Sequence, residues 1–185
     1  PLAQIFRNNN YEIKPVLEAL FKSEHFFDVA NRGAMIKSPV VFNLGLLRMF
    51  DIDIPDSSDY VAQYNHWSTM GNLSSLLQQE LGDPPSVAGW PAYYQIPMYY
   101  EVWINSDTLP NRNKISDVLS TSGYNVNGVR LKIDQVKFAS KFSSVNNPAA
   151  FIDEMLVLFH TLDVDQNQKN YMKTILLSGQ LDDSY

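Results

Sequence analysis

The stretch SPVVFNLGLLRMF, residues 38–50, decides the fold class of this chain. Ser38 followed by Pro39 is a typical helix start, because a serine side chain caps free N–H groups and proline fits the first turn. Apolar residues then recur at helical spacing and cover nearly every face, so we expect this helix at the centre of the domain. Gly45 in its interior predicts close approach of a neighbouring element, since glycine costs a helix about 1 kcal/mol relative to alanine.

Helix signals continue on both sides of this stretch. Capping residues and apolar spacing predict further helices over residues 2–6, 14–27, 60–70, 72–81, 107–120 (or 110–120), 134–142, 148–162 and 165–177. The break near Gly71 separates two of them, and Gly82 with the prolines that follow it ends the second. The Asn127-Gly128 pair between short extended arms predicts one β-hairpin over residues 124–131.

Residues 84–98 are rich in proline and aromatic side chains and predict a long ordered loop. The fold class is therefore mainly α: a compact multi-helix array with this proline and aromatic loop and one short β-hairpin. At 185 residues, the chain has the length of one domain, and we expect residues 1–185 to form a single helical domain.

Composition excludes several classes of function. The net charge of −6 opposes general binding to nucleic acid, because phosphates would be repelled over most of the surface. No apolar run approaches the roughly 18 residues of a membrane span. The absence of cysteine excludes disulfides, thiolate metal sites and thiol nucleophiles.

An aromatic cluster with one arginine forms the first candidate site. Flat rings with polar rims suit a sugar or a partner protein, and an arginine fork suits a carboxylate. The alternative is that the two tryptophans plug the core and brace the loop, while the arginine ties down loop carbonyls. The candidate ligand-binding residues are Trp90, Tyr93, Tyr94, Tyr99, Trp103 and Arg112.

A second candidate is an anion site at Arg32, Lys37 and Ser38, close to the start of the predicted central helix. The helix dipole and the free N–H groups of the first turn favour a phosphate or sulfate there. The alternative is an ordinary solvated loop.

No pattern of residues predicts catalysis, a metal or a cofactor. His25, His66 and His160 lie on separate predicted helices without metal-ligand spacing. No nucleophile elbow or glycine-rich phosphate loop is present. Asp163 and Asp165 start like a calcium loop but lack its later residues, so they are better read as the cap of the last helix.

Three groups of residues together resemble a known family. They are SEHFF (residues 23–27) with Arg32 and IKSPV (36–40), then MG (70–71) followed by PPSVAGWP (84–91), and WINS (103–106) with Arg112. Their order is similar to the C-terminal part of the bacterial family catalogued as domain of unknown function 1800. Residues 92–101 depart from the family pattern as an aromatic insertion.

The resemblance implies a longer protein with a helical N-terminal portion, and export from a bacterial cell. It also implies a partner, a second exported family of sulfatase-like appearance, and it implies no catalytic residues. We therefore expect a non-catalytic scaffold or binding domain, with a glycan as another candidate ligand. The alternative is part of a hydrolase acting on polysaccharide or on a sulfated or phosphorylated polymer, with its site completed by the N-terminal portion.

Overall fold

The computed structural model describes residues 1–90 and 100–178, which are mainly α-helical. The helices are α1 (Leu2–Asn8), α2 (Ile13–Phe21), α3 (Pro39–Met49), α4 (Tyr60–Leu76), α5 (Thr108–Ser120), α6 (Gln135–Ala139), α7 (Pro148–Phe159) and α8 (Gln166–Leu177). Short 3₁₀ helices lie at Glu24–Phe27, Val29–Asn31 and Tyr100–Trp103, and strands β1 (Tyr124–Val126) and β2 (Val129–Leu131) pair antiparallel. The predicted fold class, mainly α with one short β-hairpin, is confirmed.

The core forms where α3, α4, α5 and the hairpin meet. Helix α4 packs on α3, on α5 and on both strands, so it is the central element rather than α3. Helix α3 is partly open to solvent, with Val41 exposed. The buried core residues are Leu47, Ile52, Met70, Leu73, Leu77, Ile115, Leu119, Leu131 and Ile133.

Side-chain caps begin several helices where the sequence predicts them. Ser38 Oγ accepts a hydrogen bond from the N–H of Val41 at the start of α3. Asn147 caps α7, and Asp165 caps α8 in a reciprocal capping box with Gln168. These bonds satisfy N–H groups that have no partner within the helix.

Two predicted helix boundaries are wrong. A single helix, α4, runs through Gly71 to Leu76, because burial of Met70 and Leu73 on either side of the glycine outweighs its cost of about 1 kcal/mol. The predicted helix over residues 72–81 is therefore the second half of α4 and the turn after it. Helix α2 ends at Phe21 instead of near residue 27. Ser23 then caps a separate short 3₁₀ helix, Glu24–Phe27.

The glycines show where backbone geometry is demanding. A Cβ on Gly45 would meet no atom within 4 Å, so the predicted close approach at this position is wrong. In the hairpin, Asn127 and Gly128 both have positive φ, as a two-residue turn requires. Gly123 also has positive φ, and a Cβ there would lie 2.8 Å from the carbonyl oxygen of Leu131.

Within the described ranges no helix is long and apolar enough to span a membrane.

Candidate functional site

Arg112 on α5 is the charged residue of the candidate site, and it is only 7% exposed. Its Nη2 donates to the carbonyl oxygen of Lys37 at 2.8 Å and to that of Trp103 at 3.4 Å. Its guanidinium carbon lies 4.9 Å from the ring centroid of Phe42 on α3. The side chain therefore joins the segment before α3 to the segment before α5.

Burial governs the electrostatics of this guanidinium. Loss of water lowers the pKa of Arg112, although an arginine remains charged at any physiological pH. Carbonyl dipoles and the Phe42 ring stabilise the charge, and no ion pair between Arg112 and a carboxylate occurs in the part of the chain that the structure describes. Its Nε is buried without a hydrogen-bond partner.

The two predicted tryptophans lie in contact. The ring centroids of Trp90 and Trp103 are 5.3 Å apart with the planes tilted by 47°. Trp103 is 8% exposed and Trp90 is half-buried, so both rings pack more than they face solvent. The other aromatic candidates, Tyr93, Tyr94 and Tyr99, lie outside the described residues.

Polar residues next to Trp103 start helix α5. The Thr108 hydroxyl is fully buried, donates to the Trp103 carbonyl and accepts from the N–H of Asn105. Asn105 Oδ1 in turn accepts from the N–H groups of Asp107 and Thr108 at 2.9 Å. Asn105, rather than the N-cap residue Asp107, therefore supplies the side-chain acceptor at the start of α5.

Two consecutive glutamines after α4 complete the arrangement. Gln78 Oε1 accepts from Asn105 Nδ2 at 2.9 Å, and Gln79 Oε1 accepts from the N–H of Val40 at 2.9 Å. Gln78 has a left-handed backbone with φ of 69°, which ends α4 and turns the two side chains toward different helices. The end of α4 is thus bonded to the starts of α3 and α5.

We call this set of contacts the brace. It is formed by Lys37, Gln78, Gln79, Trp103, Asn105 and Arg112. Sequence reasoning identified Arg112 and Trp103 but missed the glutamines and Asn105. Their partners lie 27 and 39 positions away, and no local pattern marks such a contact.

The predicted anion residues do not converge. Ser38 Oγ and Gln79 Oε1 accept the first free N–H groups of α3, which an anion would otherwise use. The Lys37 side chain is exposed while its carbonyl faces Arg112. Arg32 lies elsewhere, at a cleft of about 310 Å³ beside α7 and α8.

The cleft at Arg32 contains charges of both signs, since Asp153, Asp163 and Lys169 line it with Arg32, and His160 lies beside them. Lys169 Nζ and Asp153 Oδ1 form an ion pair of 2.8 Å, with side chains 32% and 59% exposed. Solvent-exposed pairs of this kind contribute at most about 1 kcal/mol. Among residues 1–90 and 100–178, no group of three or more His, Asp or Glu side chains could hold a metal.

His66 on α4 is a buried polar group that sequence reasoning left without a role. It is 0% exposed, and both ring nitrogens lack a hydrogen-bond partner. Its ring packs edge-on against Trp67, with centroids 4.7 Å apart. Burial lowers the pKa of the imidazole, because desolvation disfavours its charged form.

Four of the six brace residues belong to the motifs that carry the family resemblance. Lys37 belongs to IKSPV, Trp103 and Asn105 belong to WINS, and Arg112 follows them. A family model described as "Protein of unknown function (DUF1800)" matches residues 1–184. No curated protein and no solved structure matches the chain. Because the match covers essentially every residue, the chain belongs to the DUF1800 family.

Proposed function

We propose that this chain is a non-catalytic helical scaffold of an exported bacterial protein, and that the brace fixes helices whose exposed faces bind other proteins. This proposal rests on one observation, the hydrogen bonds of the Arg112 side chain to main-chain carbonyls. Its bonded donor points at main-chain carbonyls of two separate segments, so the arginine connects parts of the fold. An arginine that clamps a substrate needs its donors free in an accessible cleft.

The chemistry of the remaining charged groups supports the same proposal. Acid–base catalysis requires a shielded site in which two groups titrate differently. The carboxylate of Asp153 in the Arg32 cleft is instead exposed and paired with Lys169. At the first candidate site Arg112 is bonded to main-chain carbonyls, and in the Arg32 cleft Asp153 is paired with Lys169. Both groups therefore make contacts within the fold.

Helix α4 presents a surface suited to a protein partner. Tyr60, Tyr64 and Trp67 are 75%, 74% and 44% exposed and, at spacings of four and three residues, share one face of the helix. With Val61 and Gln63 they line a hollow of about 510 Å³. Tyrosine and tryptophan are enriched where proteins bind one another, and such a face also suits a glycan.

The partner we propose is the exported sulfatase-like protein that the family resemblance implies. Sedimentation velocity of the two purified proteins tests this: a complex is expected, and Tyr64→Ala should weaken it at least tenfold, a loss of about 1.4 kcal/mol. Tyr171→Ala, at a similarly exposed tyrosine on α8, is the matched control and should bind normally. Failure to form a complex, or equal loss in both variants, would contradict the proposal.

The second candidate, a hydrolase of polysaccharide or of sulfated or phosphorylated polymers, is favoured by one observation. The Arg32 cleft brings two basic residues, a histidine and two carboxylates to one place. Release of sugar, sulfate or phosphate from a panel of such polymers measures this activity. Turnover that Asp153→Asn abolishes would support the hydrolase and count against the scaffold.

A further inference from the structure

The N-terminal helical pair stands apart from the core. Helices α1 and α2 pack on each other, and neither packs comparably on another described element. Neither helix has a buried residue. We call residues 1–22 the arm.

The arm carries one apolar face without a covering element. Ile13, Leu17 and Phe21 of α2 follow one another at four-residue spacing and are 63%, 41% and 49% exposed. The two charged residues of α2, Lys14 and Glu18, lie four positions apart on one strip of its surface, so the helix is amphipathic. Such a helix gains most of its stability by burying the apolar face.

The same chain contains an apolar groove between α7 and α8. Its volume is about 340 Å³, and its walls are almost entirely apolar. The lining residues are Ile152, Met155, Leu156, Phe159, His160, Met172, Ile175 and Leu176. Methionine side chains adapt to irregular shapes, and a groove between two helices commonly accepts a third amphipathic helix.

The exposed area of the chain exceeds that of a compact monomer. It is 13189 Å², whereas a folded monomer of this mass exposes about 9,000 Å². The sixteen residues outside the described ranges account for at most roughly 2,600 Å² of the difference, even if they were fully extended. The remaining excess is larger than the about 800 Å² per partner that a stable interface buries.

Charge favours contact between the arm and the rest of a second chain. The arm has three basic and two acidic residues, whereas residues 23–185 have eleven basic and eighteen acidic residues. The arm is thus slightly positive and the remainder is strongly negative. Opposite net charges favour association of the arm with the body.

The connection between the arm and α3 passes close to the groove. Gly33 lies against Thr161 in the connection between α7 and α8, so close that a Cβ would be 2.6 Å from the threonine hydroxyl. His160, next to Thr161, lines the groove itself. Two copies that meet at this edge can exchange arms about a two-fold axis, which makes the contact reciprocal.

We propose that the chain associates with a second copy of itself, with the apolar face of α2 from each protomer seated in the α7–α8 groove of the other. This interface goes beyond the scaffold function and does not depend on it. It uses neither the brace nor the tyrosine face of α4.

Sedimentation equilibrium of the 185-residue chain tests the proposal. A dimer of twice 21.1 kDa is expected. Leu17→Glu in the arm and Ile175→Glu in the groove should each raise the dissociation constant tenfold or more, since a charge would enter an apolar contact. Val136→Glu, at an exposed position on α6, is the matched control and should remain dimeric. A monomeric wild-type chain would overturn the proposal.

Cysteine cross-linking identifies which copy supplies the arm. The chain has no cysteine, so in the double variant Leu17→Cys with Ile175→Cys every disulfide joins introduced cysteines, and peptide mapping separates the 17–175 bond from 17–17 and 175–175 bonds. Mild oxidation should give a covalent dimer on a non-reducing gel. The pair Leu17→Cys with Val136→Cys should not cross-link. An internal disulfide within a monomer would show that the arm folds onto its own groove, and this result would refute exchange between copies.

Discussion

The substitution His66→Leu removes the buried imidazole and both of its unpaired nitrogens. A buried polar group without a hydrogen bond costs about 1–3 kcal/mol, and a leucine of similar volume avoids this cost. Imperfect packing of the new side chain offsets part of the gain, by less than about 1.5 kcal/mol. We therefore expect the free energy of unfolding at pH 7.5 to be unchanged or higher by up to about 2 kcal/mol.

The pH dependence of the free energy of unfolding distinguishes the wild-type chain from the same variant more clearly. Burial lowers the pKa of His66 in the folded chain, so below the unfolded value of about 6.5 the unfolded state binds more protons. The wild-type chain then loses up to about 1.4 kcal/mol of stability per pH unit as the pH falls, until the folded pKa is reached. At pH 5 this loss is at most about 2 kcal/mol, and the leucine variant does not have it.

Urea unfolding followed by circular dichroism at pH 7.5, 6.5, 5.5 and 5.0 measures both effects. The wild-type and His66→Leu curves of stability against pH should diverge below pH 6.5. His25→Gln, at an exposed histidine, is the matched control and should follow the wild-type curve. Parallel curves for wild type and His66→Leu would refute the reasoning.

Backbone and cap substitutions give further predictions, each measured by thermal and urea unfolding. Gly123→Ala should destabilise the chain by about 2 kcal/mol, because its φ is positive and the Cβ would strike the Leu131 carbonyl; unchanged stability would contradict the hairpin geometry. Gly45→Ala should stabilise the chain by about 0.5–1 kcal/mol, since the site is helical and open; a loss of stability would contradict the open space around this position. Asp165→Ala should cost about 1 kcal/mol by removing the α8 cap, and equal stability would argue against the capping box.

Local chemistry made part of this fold predictable. Ser38, Asn147 and Asp165 cap helices because a short polar side chain reaches the N–H groups two or three residues ahead. The Asn127-Gly128 turn is equally local, because both residues tolerate positive φ. Such signals depend on neighbouring residues alone and are therefore visible in the sequence.

The candidate site depends on contacts that no local pattern contains. Arg112 and Lys37 are 75 positions apart, and only tertiary packing determines that the arginine meets a carbonyl rather than a carboxylate. Gly71 illustrates the same point for the helices: its local cost predicts a break, but burial of the flanking residues keeps α4 continuous. The pairing of Gln78 with Asn105 has no sequence signal at all.

Native-state hydrogen exchange of Arg112→Met tests most directly whether Arg112 holds the scaffold together. Loss of the charged donor leaves the Lys37 carbonyl unpaired, at a cost of about 2 kcal/mol, which corresponds to roughly 30-fold faster exchange. We predict this acceleration at the starts of both α3 and α5, with α7 and α8 unchanged. Exchange as slow as in the wild type at both helix starts would contradict the account.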